Sequence, residues 1–293
     1  MVIVKKENLD INELSRIENL KKEILKETSV NVPFFDDANE GLNKGFPLFY
    51  LVFDDSKETF FCALSVYIPN DTEAEIYLIS APEKKSACDK SGVPKEVNSE
   101  GVDDKNKSDI NDELENIIIN LMDEIYEALT DVGIEYILFA TDPKNAYNTS
   151  LITKFNEGEE PDFYDTCVYK LSVNEYKKVP VNFSEISLKV IAEAEDGDLN
   201  DIRFILKKDL ADIGEAYVLI EGDVACLHSV LINEEYREMG FGRMLVNYSL
   251  NTAIDTYHVS NLILNVDSDN LPAVSLYESM GFKSVEVLRY YEI

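Results

Sequence analysis

Positive charge is scarce in this chain. Its 293 residues include 27 lysines and arginines against 57 aspartates and glutamates, for a formal charge of −30. Such a surface repels phosphate-rich partners, so neither nucleic acid nor an anionic membrane face is expected to bind. The acidic balance serves solubility and leans toward a cationic or amine substrate. Cysteine is also sparse: Cys62, Cys88, Cys167 and Cys226 stand far apart without CxxC spacing. That argues against a zinc or other metal site and against a disulfide framework, and it suits a reducing compartment. Long apolar runs are missing, none nearing the roughly 18 residues that span a bilayer. The opening "MVIVKKENLD" turns charged after four residues, unlike a signal peptide. A soluble cytoplasmic protein is the expectation.

Hydrophobic residues make up 45% of the chain, enough for a sizeable core. "MVIVKK" reads as a short strand, and the following helix places Ile17, Leu20 and Ile24 on one face. "LFYLVFDD" and "TFFCALSVYI" flank a polar turn and predict a hairpin, with "EAEIYLISA" as the next strand. Residues 82–112 are charged and polar throughout, which predicts a mobile, acidic surface loop. Helical spacing returns at Leu114, Ile117, Ile118, Leu121, Met122, Ile125 and Leu129, with Gly133 placed to stop the helix. A strand, a short helix and another strand lead to a linker near residue 175.

The second half repeats this order in shorter form. Its clearest strand is "VACLHSVLI", followed by "NEEYREMGFGRML" and a helix whose face carries Val246, Leu250, Ala253 and Tyr257. The halves superimpose in sequence. An offset of 125 pairs Asp142 with Asp267, Asn145 with Asn270, and Leu151 with Leu276. Alternating strands and helices in both halves predict an α/β fold of layered sheet and helices, in two domains at 1–175 and 176–293.

One stretch carries chemistry. Arg237-x-x-Gly240-x-Gly242 lies directly between a strand and a helix. The first turn of a helix offers unpaired N–H groups and the positive end of a dipole, and glycines let a diphosphate come close. The dinucleotide fingerprint Gly-x-Gly-x-x-Gly is not present here. Together with "NVDSDNLPAVSLYESMGF", the stretch resembles the acyl-coenzyme A loop and following motif of the GNAT-type N-acetyltransferase superfamily. The resemblance runs from Val224 to Phe282 and rests on Arg237, Gly240, Gly242, Asn270, Ala273, Leu276, Tyr277, Gly281 and Phe282.

The resemblance implies two tandem GNAT-like units, each a mixed, mainly antiparallel sheet flanked by helices. It implies acetyl-coenzyme A as cosubstrate, no metal, and direct acetyl transfer to a small-molecule or peptide amine in the C-terminal unit. The pantetheine arm would pair with the backbone of Val230, Leu231 and Ile232 where their strand splays from its neighbour. The diphosphate would rest on the N–H groups of Glu238, Met239, Gly240, Phe241, Gly242 and Arg243, with Asn270 nearby. Arg237 either reaches a phosphate or holds the loop. Tyr277 matches the tyrosine that protonates the departing thiolate, and its plain alternative is an aromatic packed beside Phe282. A phenol of pKa roughly 10 suits a thiol leaving group.

His228 falls where the arylalkylamine acetyltransferases place a catalytic histidine, and an imidazole suits a general base. Its alternatives are a packed strand histidine, with deprotonation through water. His258 reads as a surface residue. The first unit has Lys85 in place of Arg237, no Gly-x-Gly, and Ile152 in place of Tyr277, so it is expected to be non-catalytic. A rival from another class is an acyl-coenzyme A-binding sensor or partner-binding module without the reaction. Either a monomer or a homodimer fits, because the tandem could itself supply what a dimer would.

Overall fold

Hydrophobic periodicity and turn chemistry give seventeen regular elements among the described residues of a computed structural model, which are 1–38, 41–80, 104–180, 188–195 and 198–293. In the first half these are β1 (Val2–Lys6), α1 (Ile11–Thr28), β2 (Phe49–Phe53), β3 (Phe60–Tyr67), β4 (Glu73–Ser80), α2 (Asp104–Asp131), β5 (Tyr136–Thr141), α3 (Ala146–Phe155) and β6 (Phe163–Ser172). The second half supplies β7 (Leu188–Glu195), β8 (Asp198–Lys208), β9 (Ala211–Glu221), β10 (Val224–Ile232), α4 (Phe241–Tyr257), β11 (Asn261–Asp267), α5 (Leu271–Ser279) and β12 (Lys283–Glu292).

Local rules explain most boundaries. Asp10 caps α1 by accepting the Asn12 and Glu13 N–H groups, while the Glu13 carboxylate accepts from the Asp10 N–H. Gly133, at φ +88°, ends α2 with its N–H on Thr130. The predicted faces bury Ile17, Leu20 and Ile24 in α1 and Leu114, Ile118, Leu121, Met122, Ile125 and Leu129 in α2. On α4, Val246, Leu250 and Ala253 are buried, but Tyr257 at the last turn is 38% exposed.

The predicted loop over 82–112 meets two outcomes. Its residues through 103, and Lys85 among them, lie outside the described residues. From Asp104 onward the chain is already helical, nine residues ahead of the predicted start. Apolar spacing reports only the buried turns of a helix, and a nucleated helix extends past them at little cost.

The chain divides into two compact units, Met1–Tyr164 with Leu288–Ile293, and Asp165–Val287. In the first, the strand order is β1-β2-β3-β4-β5-β12, antiparallel except for the parallel β4–β5 pair. In the second it is β7-β8-β9-β10-β11-β6, antiparallel except for β10–β11. Each unit therefore closes its sheet with the strand that follows the other unit's last helix. That exchange places the break at Tyr164/Asp165, whereas the sequence reading put it at 175/176.

The units differ in one further respect. In the first, α1 intervenes between the first two strands, whereas in the second β7 leads to β8 without a helix. Each has its own core. In the second, Phe204, Leu206, Ala216, Val218, Ala225 and Leu227 from the sheet pack with Leu245, Val246, Leu250 and Ala253 of α4. At about 1.5–3 kcal/mol for each large aliphatic side chain buried, this contact fixes where α4 begins relative to β10.

Candidate active site

The strand β10 runs antiparallel to β9 along its length but stays in register with β11 only from Val224↔Asn261 to Leu227↔Leu264. Both strands continue past that point, so the β11-side backbone edge of His228–Ile232 lies outside the ladder. A register shift against β9 falls between His228 and Leu231, and Ser229 within it takes φ +49°. A left-handed serine costs about 1–2 kcal/mol, and the bulge re-aims the strand tip.

Gly214 of β9 accommodates that tip. A Cβ there would meet Ile232 Cδ1 at 2.4 Å and the Leu231 carbonyl at 2.8 Å. Asn233 then anchors the strand end, its N–H donating to Ile213 and its Nδ2 to the Asp212 carbonyl.

The glycine loop follows as a short 3-10 turn at Glu234–Tyr236 and two left-handed residues, Glu238 at φ +62° and Gly240 at φ +81°. Gly240 is the N-cap of α4, and no side chain caps it. The first turn begins at Phe241, Gly242 and Arg243, and the first closing bond runs from the Met244 N–H to the Gly240 carbonyl. The uncapped turn therefore presents free N–H groups and roughly half a positive charge. Lys208 Nζ lies 5.5 Å from the Tyr236 ring centre, and the loop itself carries Arg237 and Arg243 against Glu234, Glu235 and Glu238.

Arg237 Nε donates to the Ile232 carbonyl at 3.0 Å, so this side chain holds the loop to the strand tip. Arg243 reaches Ser279 Oγ at 2.5 Å and ties α4 to the end of α5. A methyl group on Gly242 would lie 3.7 Å from Ile232 Cγ1 and 3.9 Å from Leu276 Cδ2. Strand tip, loop and α5 thus converge, as their order in the sequence predicts. Met239 and Leu231 are exposed there, at 62% and 49%.

Asn270 has a capping task. Its side chain accepts from the Ala273 N–H at 3.3 Å at the start of α5, as Asn145 accepts from the Asn148 N–H at 3.1 Å at the start of α3. Tyr277 is 6% exposed and stands edge-on to Phe282 with ring centres 6.1 Å apart. Burial raises its phenol above the usual range, which keeps it protonated.

His228 alternates with Ala225 and Leu227, which pack in the core with α4, so its ring points to the opposite face. There Nε2 lies 3.2 Å from Asp201 Oδ1 of β8, and Nδ1 lies 3.2 Å from Ser229 Oγ. Tyr217 of β9 is directly across in register, its ring 5.4 Å away. Arg203 joins Glu215 through two bonds of 3.1 and 2.7 Å beside them. Asp201, Ser229 and Gly214 escaped the sequence reading, because only cross-strand pairing brings the first and last to β10. His258 is exposed and ends α4 with φ +57°. Among the described residues no group of side chains could hold a metal ion, and no helix is long and apolar enough to cross a membrane.

Residues 180–282 match the Acetyltransferase (GNAT) family. Over 63 residues the chain is 38% identical to an N-alpha-acetyltransferase of Sulfurisphaera tokodaii, a stretch that is 22% of this chain and 38% of that protein. The chain thus spans well under half the length of that relative. Among solved structures, a GCN5-related N-acetyltransferase from Sphaerobacter thermophilus matches with TM-score 0.66 at 11% identity, over 99% of this chain and 95% of the other. A tandem GNAT protein from the clavulanic acid biosynthesis pathway matches with TM-score 0.51 at 11% identity, over 99% and 98%. The fold is that of the solved tandem GNAT proteins, and residues 180–282 are similar to the Acetyltransferase (GNAT) family.

Proposed function

We propose that this chain is an N-acetyltransferase, working in its second unit and passing the acetyl group of acetyl-coenzyme A directly to an amine. The parting of β10 from β11 at Leu227, immediately before a glycine-capped helix, carries this reading. The free strand edge at Val230–Ile232 suits an extended amide-bearing arm, and the open N–H groups from Glu238 to Arg243 suit a diphosphate. Arg237 serves the site by fixing the loop.

Acetyl-coenzyme A supplies the activated acyl group. The residues of this chain supply position and proton transfer. Backbone groups at the strand tip orient the thioester, which turns a bimolecular encounter into a fixed geometry. His228 takes the proton of the attacking amine, and the buried hydroxyl of Tyr277 gives one to the departing sulfur. The first acceptor class to test is a peptide α-amine, because the Sulfurisphaera relative is an N-alpha-acetyltransferase. We assign the first unit, 1–175 by its sequence, a non-catalytic role, supported by Ile152 in place of a phenol and by the Asn148 amide that joins Leu78 to Thr141 across its parted strands.

Titration calorimetry with acetyl-coenzyme A, alongside thiol release with an alanine-initiated peptide, tests the reading. Binding with turnover is expected, together with weakened binding in Gly240→Val. Tight binding without thiol release over a panel of amines would instead favour a coenzyme sensor, and no binding at all would end both readings.

A further inference from the structure

Across the face of the second unit opposite α4, three strands align a row of polar side chains. The register places Arg203 of β8 against Tyr217 of β9, and Tyr217 against His228 of β10. Asp201 lies two residues before Arg203 on the same face, and Glu215 two before Tyr217. The charges are sorted within this row. Arg203 bonds Glu215 at 3.1 and 2.7 Å, and Asp201 Oδ1 lies 3.2 Å from His228 Nε2. The other ring nitrogen meets Ser229 Oγ at 3.2 Å. Among the described side chains, Tyr217, Cys226 and Lys170 also lie on this face by register, with Glu221 at its edge.

A hydrogen bond at one imidazole nitrogen decides the role of the other. A carboxylate is acceptor-only when ionised, so Asp201 requires the proton on Nε2 and makes Nδ1 the acceptor. The hydroxyl of Ser229 then donates to Nδ1. It can do so because the bulge sets Ser229 at φ +49°, a conformation that costs energy for any residue with a Cβ. A serine in that place, where glycine would be relaxed, is an unexplained cost unless its hydroxyl is used.

We infer that Asp201 is the positioning residue for His228 and that Ser229 Oγ relays the proton between the acceptor amine and His228 Nδ1. In the step, the amine nitrogen bonds to the acyl carbon and its proton passes to Ser229 Oγ. The hydroxyl proton of Ser229 moves to His228 Nδ1, and Asp201 stabilises the resulting imidazolium. The C–S bond breaks, and Tyr277 gives its proton to the sulfur. Solvent carries the proton of the imidazolium back to the Tyr277 oxygen, restoring every group. The relay rests on the acetyltransferase reading, whereas the orientation of His228 by Asp201 does not.

The chain has only two histidines, so ring nitrogens are readable in a long-range proton–nitrogen spectrum, with His258→Gln assigning the signals. At a pH where the ring is neutral, His228 should be the Nε2–H tautomer, and Asp201→Ala should convert it to a mixture. An Nδ1–H ring in the unsubstituted protein, or a tautomer unmoved by Asp201→Ala, would overturn the positioning role. For the relay, Ser229→Gly should raise the melting temperature by relieving the backbone, yet lower kcat with an alanine-initiated peptide by about tenfold or more. Its dissociation constant for acetyl-coenzyme A should stay within about twofold. An unchanged kcat would overturn the relay. Failure of the unsubstituted protein to bind acetyl-coenzyme A would overturn the relay together with the acetyltransferase reading, leaving the positioning role to be judged by the spectrum.

Discussion

The two units part their central parallel strands in the same place and then treat the gap differently. In the first unit β4 and β5 pair from Glu73↔Tyr136 to Tyr77↔Ala140, after which both strands run on. Buried Asn148 of α3 spans the parting, its Nδ2 donating to the Leu78 carbonyl at 3.2 Å and to Thr141 Oγ1 at 3.1 Å. In the second unit the pairing of β10 with β11 ends at Leu227↔Leu264. At the offset of 125 that relates the halves, the residue matching Asn148 is Ala273, which has no polar group to offer. One unit stitches its sheet with a side-chain amide, and in the other the matching position carries only a methyl group. A shared fold therefore does not imply a shared site, since the difference lies in a few side chains grafted on the same frame.

Five experiments would break or sharpen that contrast. The largest effect is expected from Tyr277→Phe, which should cut kcat on the order of 100-fold while leaving affinity for acetyl-coenzyme A unchanged. Weaker coenzyme binding at normal turnover would show that Tyr277 only packs against Phe282. Transplanting the stitch with Ala273→Asn should weaken acetyl-coenzyme A binding by roughly 10-fold or more, because the new amide competes for the strand edge. Calorimetry reads this directly, and undiminished affinity would remove Ala273 from the explanation.

The reverse change, Asn148→Ala, should destabilise the first unit by about 1–3 kcal/mol by stranding the buried Leu78 carbonyl. Urea unfolding followed from each unit would measure it. Gain of a second coenzyme site in that variant would contradict the non-catalytic assignment. Gly214→Val should cost about 1–3 kcal/mol through overpacking against Ile232 and the Leu231 carbonyl, and should displace the strand tip. A variant as stable as its parent would mean that β9 yields more easily than the contacts indicate.

The smallest contrast is in alkaline stability. Burial pushes Tyr50 of the first unit up to about 12, with Glu124 adding to it, and burial alone pushes Tyr176 of the second to about 12. A raised folded-state value means that the fold holds the neutral phenol. Its contribution is complete below the unfolded value near pH 10 and is lost as pH rises through about 12. Both units should therefore lose stability over that window, and Tyr50→Phe should flatten the decline only in the first. Denaturation midpoints at pH 8, 10 and 11.5 would decide it; an equal decline with and without Tyr50 would point to other groups.

Much of this molecule was legible in its sequence because the signals are local. The apolar faces of α1 and α2, the hairpin of β2 and β3, and the glycines that open α4 all depend on neighbours within a few residues. The same holds for Asn145 and Asn270, whose equal spacing from Asp142 and Asp267 marks two matching turns and helix caps.

Tertiary structure decided the rest. Where β6 and β12 pair depends on partners 89 to 154 residues away in the sequence, beyond the reach of any local pattern. Asp201 reads as one more acidic residue until the β8–β9–β10 register sets it against His228. The cost at Ser229, the cradle at Gly214 and the stitch at Asn148 likewise exist only once strands lie side by side. The sequence alone determined what each segment becomes, since that rests on periodicity and capping within one or two turns. The assembled sheet decided which side chains meet, because register is a long-range property and the chemistry of the site depends on it.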